Sequence, residues 1–221
     1  MKLFFLSLIF SVLSACTTVP IQQQPIQPIR QLDSVQSITR DLNQPFIGFP
    51  QPDNYSICHG HTCSKFAFIS LSEKQWFSAK ALFQPVAGNA EQEREQIRQA
   101  VALLEELTGE QAGTDKDRAE NNIIQGLVLN GQMDCIDEST NTTVYLRMLD
   151  NDNLLHFHTQ AHRITRGIFS GDFGVPHTTA TIVENASNTR FVVDSWFGNN
   201  GELPDIVPLE LWKSGWKPET Q

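Results

Sequence analysis

The order in which hydrophobic periodicities change along the chain constrains its fold more than any single motif. Ser72-Glu73-Lys74-Gln75 has the form of a capping box and opens a helix that should run to about Phe83, before Pro85. From Ala90 to Leu107 the residues Ile97, Val101, Leu104 and Leu107 share a helical face, and Gly109 is placed to end that helix. A third helical pattern covers Asp117 to Leu129 and stops at Asn130-Gly131; a fourth runs from Cys135 to about Leu149. Past Asn151-Asp152-Asn153 the period becomes that of strands, over Leu154–Ile164, His177–Val183 and Arg190–Trp196, with one earlier strand at Lys65–Leu71. Helices followed by strands predict an α+β fold, N-terminal helices packed on a mainly antiparallel sheet. There is no internal repeat. The pattern places one folded domain over 55–221, preceded by an ambiguous lead-in at 32–54 in which Leu32, Val35 and Ile38 make one amphipathic turn or two.

The beginning of the chain reads as an address. Met1-Lys2 is a positive start, and the apolar run Leu3–Leu13 is far shorter than the ~20 residues of a spanning helix. Leu13-Ser14-Ala15-Cys16 resembles a bacterial lipobox, which implies that 1–15 is a signal peptide and that Cys16 becomes a lipidated N-terminus. Residues 16–31 carry Pro20, Pro25, Pro28 and a series of glutamines, a composition suited to an extended tether. Thr17 rather than Asp after the cysteine favours the outer membrane, so the expected location is the bacterial cell envelope, lipid-anchored and facing the periplasm, with no other membrane contact. With 40% hydrophobic and 19% charged residues the chain is too apolar for disorder. A net charge of −9 without any Lys/Arg run excludes electrostatic binding to nucleic acid.

Of the four cysteines, Cys16 belongs to the anchor, and an oxidising compartment favours a disulfide between Cys58 and Cys63. Two readings of Cys58-His59-Gly60-His61-Thr62-Cys63 stand. One is a tetrahedral zinc site; the other is a short disulfide loop carrying exposed histidines, favoured because structural zinc sites draw ligands from separated segments. His156, His158 and His162 invite a similar choice, since a strand would point them to one side with Gln160, as a metal-binding row or as a polar solvent face. Trp196, Trp212 and Trp216 should pack the C-terminal segment over the sheet, with Trp196 able to wall a cleft.

Cys135 is left over, and an unpaired thiol in an exported protein calls for a reason. To act as a nucleophile it needs a helix N-terminus, a neighbouring imidazole, or both. Asp134 is a fitting N-cap, although Asp137 and Glu138 in the same turn oppose ionisation of the thiol, which makes an imidazole partner more important. His177 starts one predicted strand and Asp194 ends the next. A turn centred on Asn185-Ala186 sets them directly opposite, Cβ atoms about 4.5–5.5 Å apart, so that the carboxylate can orient the ring.

A Cys opening a helix, a His opening a later strand and an Asp on the strand after it resemble the transglutaminase-like branch of the papain-like cysteine enzymes, over roughly Ala90 to Trp196. The segments Gly131-Gln132-Met133-Asp134-Cys135-Ile136-Asp137-Glu138-Ser139 and Val193-Asp194-Ser195-Trp196-Phe197 also look like a proteobacterial family of exported lipoproteins, a likeness that brings no activity with it. The superfamily resemblance implies a thiol enzyme without a cofactor, a peptidase, amidase or acyl transferase acting on a peptide or amide of the cell envelope. In it Cys135 attacks the carbonyl, His177 shuttles the proton, Asp194 orients His177, and the Cys135 N–H with the Gln132 side chain stabilises the oxyanion. The alternative class is a non-enzymatic envelope lipoprotein that binds a metal or a protein partner.

Overall fold

The computed structural model describes residues 47–121, 131–167 and 176–219. These lie within one unit of the chain, Leu32–Gln221. The signal peptide, Cys16, the tether, most of the lead-in and the greater part of the expected helix at Asp117–Leu129 fall outside the described residues; its first residues, 117–121, are not helical, with a turn at 119–120.

The first strands form a hairpin, β1 (Tyr55–His59) with β2 (Lys65–Ile69). Helix α1 (Glu73–Ala81) begins as read: Ser72 Oγ accepts the Gln75 N–H and Gln75 Oε1 accepts the Ser72 N–H. Helix α2 spans Ala90–Ala112 and buries Ile97, Val101, Leu104 and Thr108. It does not stop at Gly109. A side chain there would meet Asn200 at 3.0 Å and the Asp115 Cα at 3.2 Å, so this glycine serves close packing. The helix ends instead at Gly113, whose φ of 74° is the left-handed cap glycine favours. Helix α3 spans Cys135–Asn151.

The C-terminal half forms an antiparallel sheet in sequence order: β3 (His158–Arg166), β4 (His177–Glu184), β5 (Arg190–Asp194) and β6 (Asp205–Pro208), followed by the short α4 (Leu209–Lys213). The architecture is therefore α+β, helices against a four-strand antiparallel sheet and a hairpin. Strand alternation gives the sheet two apolar faces. Ala180, Ile182 and Val193 join the main core with Leu146 and Leu149 of α3 and Ile97 and Leu104 of α2. Val192 points the other way, into a smaller cluster with Leu209 and Trp212. Among the described residues no helix is long and apolar enough to cross a membrane.

Candidate active site around Cys135

The entry to α3 is fixed by a close backbone approach. At Gly131, φ is 82° and a Cβ would stand 2.1 Å from the Gly113 carbonyl, so only glycine fits. The next residues are pinned: Gly60 N–H donates to Gln132 O (3.1 Å) and Met133 N–H to Asp117 Oδ1 (2.7 Å). Asp134 then caps the helix, accepting the Ile136 and Asp137 amides at 3.0 Å each. It does not take the Cys135 amide, which sits at the first helical position, where N–H groups have no partner within the helix.

The partly buried Cys135 is the free cysteine among the described residues. Its Sγ lies 3.9 Å from Pro176 O, and the Thr178 backbone amide also reaches it. The thiol thus meets the start of β4 on either side of His177. Burial first, then the negative charges of Asp134, Asp194 and Asp137, push its pKa up to about 11, against the lowering effect of the Thr178 amide. At rest it is a neutral thiol.

His177 Nε2 and Asp194 Oδ2 are 2.7 Å apart, as the sequence expectation required, but not through direct opposition. The hairpin turn extends over residues 185–188, with Glu184 and Thr189 paired across it and Asn188 at φ 56°, so the observed partners are Ala180↔Val193 and Thr181↔Val192. Relative to the expected register each strand is displaced by one residue, which leaves His177 and Asp194 as diagonal neighbours on the same face. Asp194 Oδ2 also accepts the Trp212 indole N–H (2.8 Å). The imidazole is boxed by Trp196, Phe197 and Trp212, with ring centroids 4.6, 5.3 and 5.5 Å away. Its other nitrogen, Nδ1, is buried and has no hydrogen-bond partner among the described residues.

Alternation places His177 and Asp194 on the α4 face of the sheet, whereas the apolar stripe of α3 covers the opposite face. The thiol therefore approaches the imidazole around the end of β4, and no hydrogen bond joins Sγ to the ring. The Gln132 amide is committed elsewhere: Nε2 donates to Lys116 O (2.8 Å) and Oε1 accepts from Asn121 Nδ2 (2.7 Å). Asn121 O in turn accepts the Trp196 indole N–H at 2.7 Å, so Gln132 supports the wall of the histidine box.

On the other side of the same helical turn lies the Cys58–Cys63 loop, closed by a disulfide. Gly60, His61, Thr62 and Cys63 all have positive φ, which turns successive amides in one direction. Asp137 accepts from His61 N (2.7 Å) and Cys63 N (2.6 Å), and Asp134 Oδ2 from Thr62 N (2.9 Å). Asn141 completes the seam by bonding both the amide and the carbonyl of Cys58. The loop histidines are not both displayed to solvent as the disulfide reading supposed: His59 is half-buried and His61 buried, neither His61 ring nitrogen being hydrogen-bonded among the described residues. Both sulfurs and an Asp137 oxygen lie within 4.8 Å of one another.

The expected histidine row does not form. The strand starts at His158, leaving His156 before it, and a bulge between Ala161 and Ile164 breaks the alternation before His162. His158 is a fully buried core residue, its Nδ1 2.9 Å from Glu93 Oε1. Behind α3, Glu105, Asp117 and Glu138 form a buried carboxyl group cluster. Burial is the first cause in each: with repulsion from Asp117 it raises Glu105 to about 8, with repulsion from Asp134 it raises Asp117 to about 6, and with repulsion from Glu105 and Asp117 it holds Glu138 well above its ordinary value.

Sequence reasoning missed Trp212 as a second donor to Asp194, the Thr178 amide at the thiol, and Arg163, whose guanidinium rests on the first turns of α3. No local pattern marks them, because each reaches the site through tertiary packing. Compared with known proteins, the chain matches no family model, no curated protein and no solved structure.

Proposed function

We propose that the protein is an exported cysteine enzyme of transglutaminase-like type, a peptidase, amidase or acyl transferase acting on a peptide or amide of the cell envelope. The observation that carries this reading is the His177–Asp194 pair: a buried imidazole oriented by a carboxylate, with Nδ1 unpartnered, at the strand end where Cys135 arrives. Catalytic hydrogen bonds are often long in a substrate-free enzyme and close in the complex. In the first step Sγ attacks the carbonyl carbon and its proton passes to His177 Nδ1. The oxyanion faces the Cys135 N–H at the helix start, which has no partner within the helix. The C–N bond then breaks and the amine leaves with the proton from His177. Water attacks the resulting thioester, giving one proton back through His177 to sulfur and releasing the acid. Hydrolysis is favoured over transfer because water is by far the more abundant acceptor.

Acetylation by p-nitrophenyl acetate tests the reading without knowledge of the substrate. Acid-quenched protein should carry one acetyl group on the Cys135 peptide, and His177→Ala should abolish it while remaining folded. Acetylation that does not depend on His177 would contradict the proposal. A second, non-enzymatic reading rests on the Cys58, Cys63 and Asp137 group: once reduced, these atoms offer a soft-metal site. Stoichiometric zinc uptake by the reduced protein, lost in Cys58→Ala, would support it.

A further inference from the structure

Arg163 sits in the bulge of β3 and lays its guanidinium on the first turns of α3. Nη1 donates to Thr140 Oγ1 at 2.6 Å, with Ser139 Oγ at 3.4 Å and Ile136 O at 3.5 Å. Every one of these acceptors is neutral. Its Nε is buried with no acceptor among the described residues. A guanidinium withdrawn from water needs a negative partner, and neutral acceptors compensate it poorly. The carboxylates of the adjoining turn point elsewhere: Asp134 and Asp137 to the Cys58–Cys63 loop, Glu138 to Asp117. Ile136, whose carbonyl Nη1 approaches, directly follows Cys135, and the Cys135 thiol is protonated at rest. The side chain keeps its charge at neutral pH, since burial lowers it only to about 10. A positive charge with an unused Nε–H therefore stands on the helical turn that Cys135 opens, without a resident counter-ion among the described residues.

We propose that Arg163 makes the Cys135 site selective for acyl substrates that carry a carboxylate close to the reacting carbonyl. The fork of the guanidinium suits a carboxylate, and binding one there supplies the charge partner that the fold omits. This rests on the reading of Cys135 as a nucleophile, and the two can be separated by one experiment.

Full-length protein, kept oxidised so that Cys58 and Cys63 stay bonded, is alkylated at pH 8 with iodoacetate and, in parallel, iodoacetamide. In both cases an S–C bond forms and iodide leaves; the reagents differ in the carboxylate. Labelling of the Cys135 peptide is followed by mass spectrometry in wild type, Arg163→Gln and Arg163→Lys. The iodoacetate-to-iodoacetamide rate ratio should exceed that of free glutathione, fall roughly tenfold in Arg163→Gln, and largely survive in Arg163→Lys. An unchanged ratio in folded Arg163→Gln would overturn the proposal. So would an equal slowing of both reagents, which would make Arg163 a partner of the thiolate and not of the substrate. If Arg163→Gln does not fold, the wild-type ratio decides: a value no higher than that of glutathione overturns it. If neither reagent labels Cys135 until the protein unfolds, the nucleophile reading itself fails and the proposal with it.

Discussion

The first turn of α3 has two sides, and they differ in how far their polar groups are satisfied. Toward the Cys58–Cys63 loop, Asp134 and Asp137 take three backbone amides at 2.6 to 2.9 Å, and the donors come from a covalently closed loop. Toward β4, the thiol has a 3.9 Å contact to the Pro176 carbonyl and the Thr178 amide, and among the described residues His177 Nδ1 has no partner and Arg163 no carboxylate. Saturated hydrogen bonding is what a structural seam requires, because buried polar groups without partners destabilise the fold. Groups left incomplete are available to a ligand. The two cysteine motifs are therefore built differently: one holds the helix start in place, the other leaves polar groups there open to a ligand.

If that division is right, substitutions on the two sides should fail in different ways. Cys135→Ser should reduce turnover of any amide substrate by about a thousandfold or more while leaving the melting temperature nearly unchanged. A variant that keeps its activity would remove the β4 side from the account. Asp137→Ala strips the His61 and Cys63 amides of their acceptor and should cost about 2–4 kcal/mol in a urea titration. Replacing Cys58 and Cys63 together by Ala should cost about 2 kcal/mol, the value for a short closed loop, with acetylation of Cys135 retained.

The smallest expected effect concerns the buried carboxyls on and behind α3. Glu105, Asp117, Asp137 and Glu138 all hold their protons to a higher pH when folded than ordinary carboxyls do, burial being the first cause in each. Between about pH 4 and pH 8 the folded chain therefore binds more protons than the unfolded one, and stability falls as pH rises through that range. The melting temperature should be higher at pH 5.5 than at pH 8, and Glu138→Gln should gain on the order of 1–2 kcal/mol at pH 8. Glu93 works in the opposite sense. Burial alone would raise it, but bonds from His158, His156 and Phe157 hold it below its ordinary value, so its contribution is lost at acid pH. A stability that rises steadily from pH 5.5 to 8 would contradict this.

How much of this was legible in the sequence follows from the range of the interactions. Capping boxes are local, so the starts of α1 and α3 were visible in Ser72 and Asp134. The pairing of His177 with Asp194 was reached through a register one residue off on each strand, and it held because a displacement of one on both preserves the face. Gly109 misled because small size for packing and positive φ at a cap demand the same residue type. The histidine row failed because a bulge has no reliable signature in one sequence. Trp212 packs over the sheet as expected, but its bond to Asp194 and the position of Arg163 were beyond reach, because nothing near them in the chain records those contacts.

The most direct test of the central claim is the rate of Cys135 alkylation by iodoacetamide across pH 6 to 10, in wild type and His177→Ala, with folding checked by thermal melting. The account predicts that the wild type labels at least about tenfold faster than the variant at pH 7.5, with His177 taking the thiol proton. It also predicts that the rate keeps rising past pH 9, as a thiol pushed up to about 11 requires. Equal rates in the two folded proteins would show that the imidazole does not serve this thiol, and would leave His177 and Asp194 as core residues.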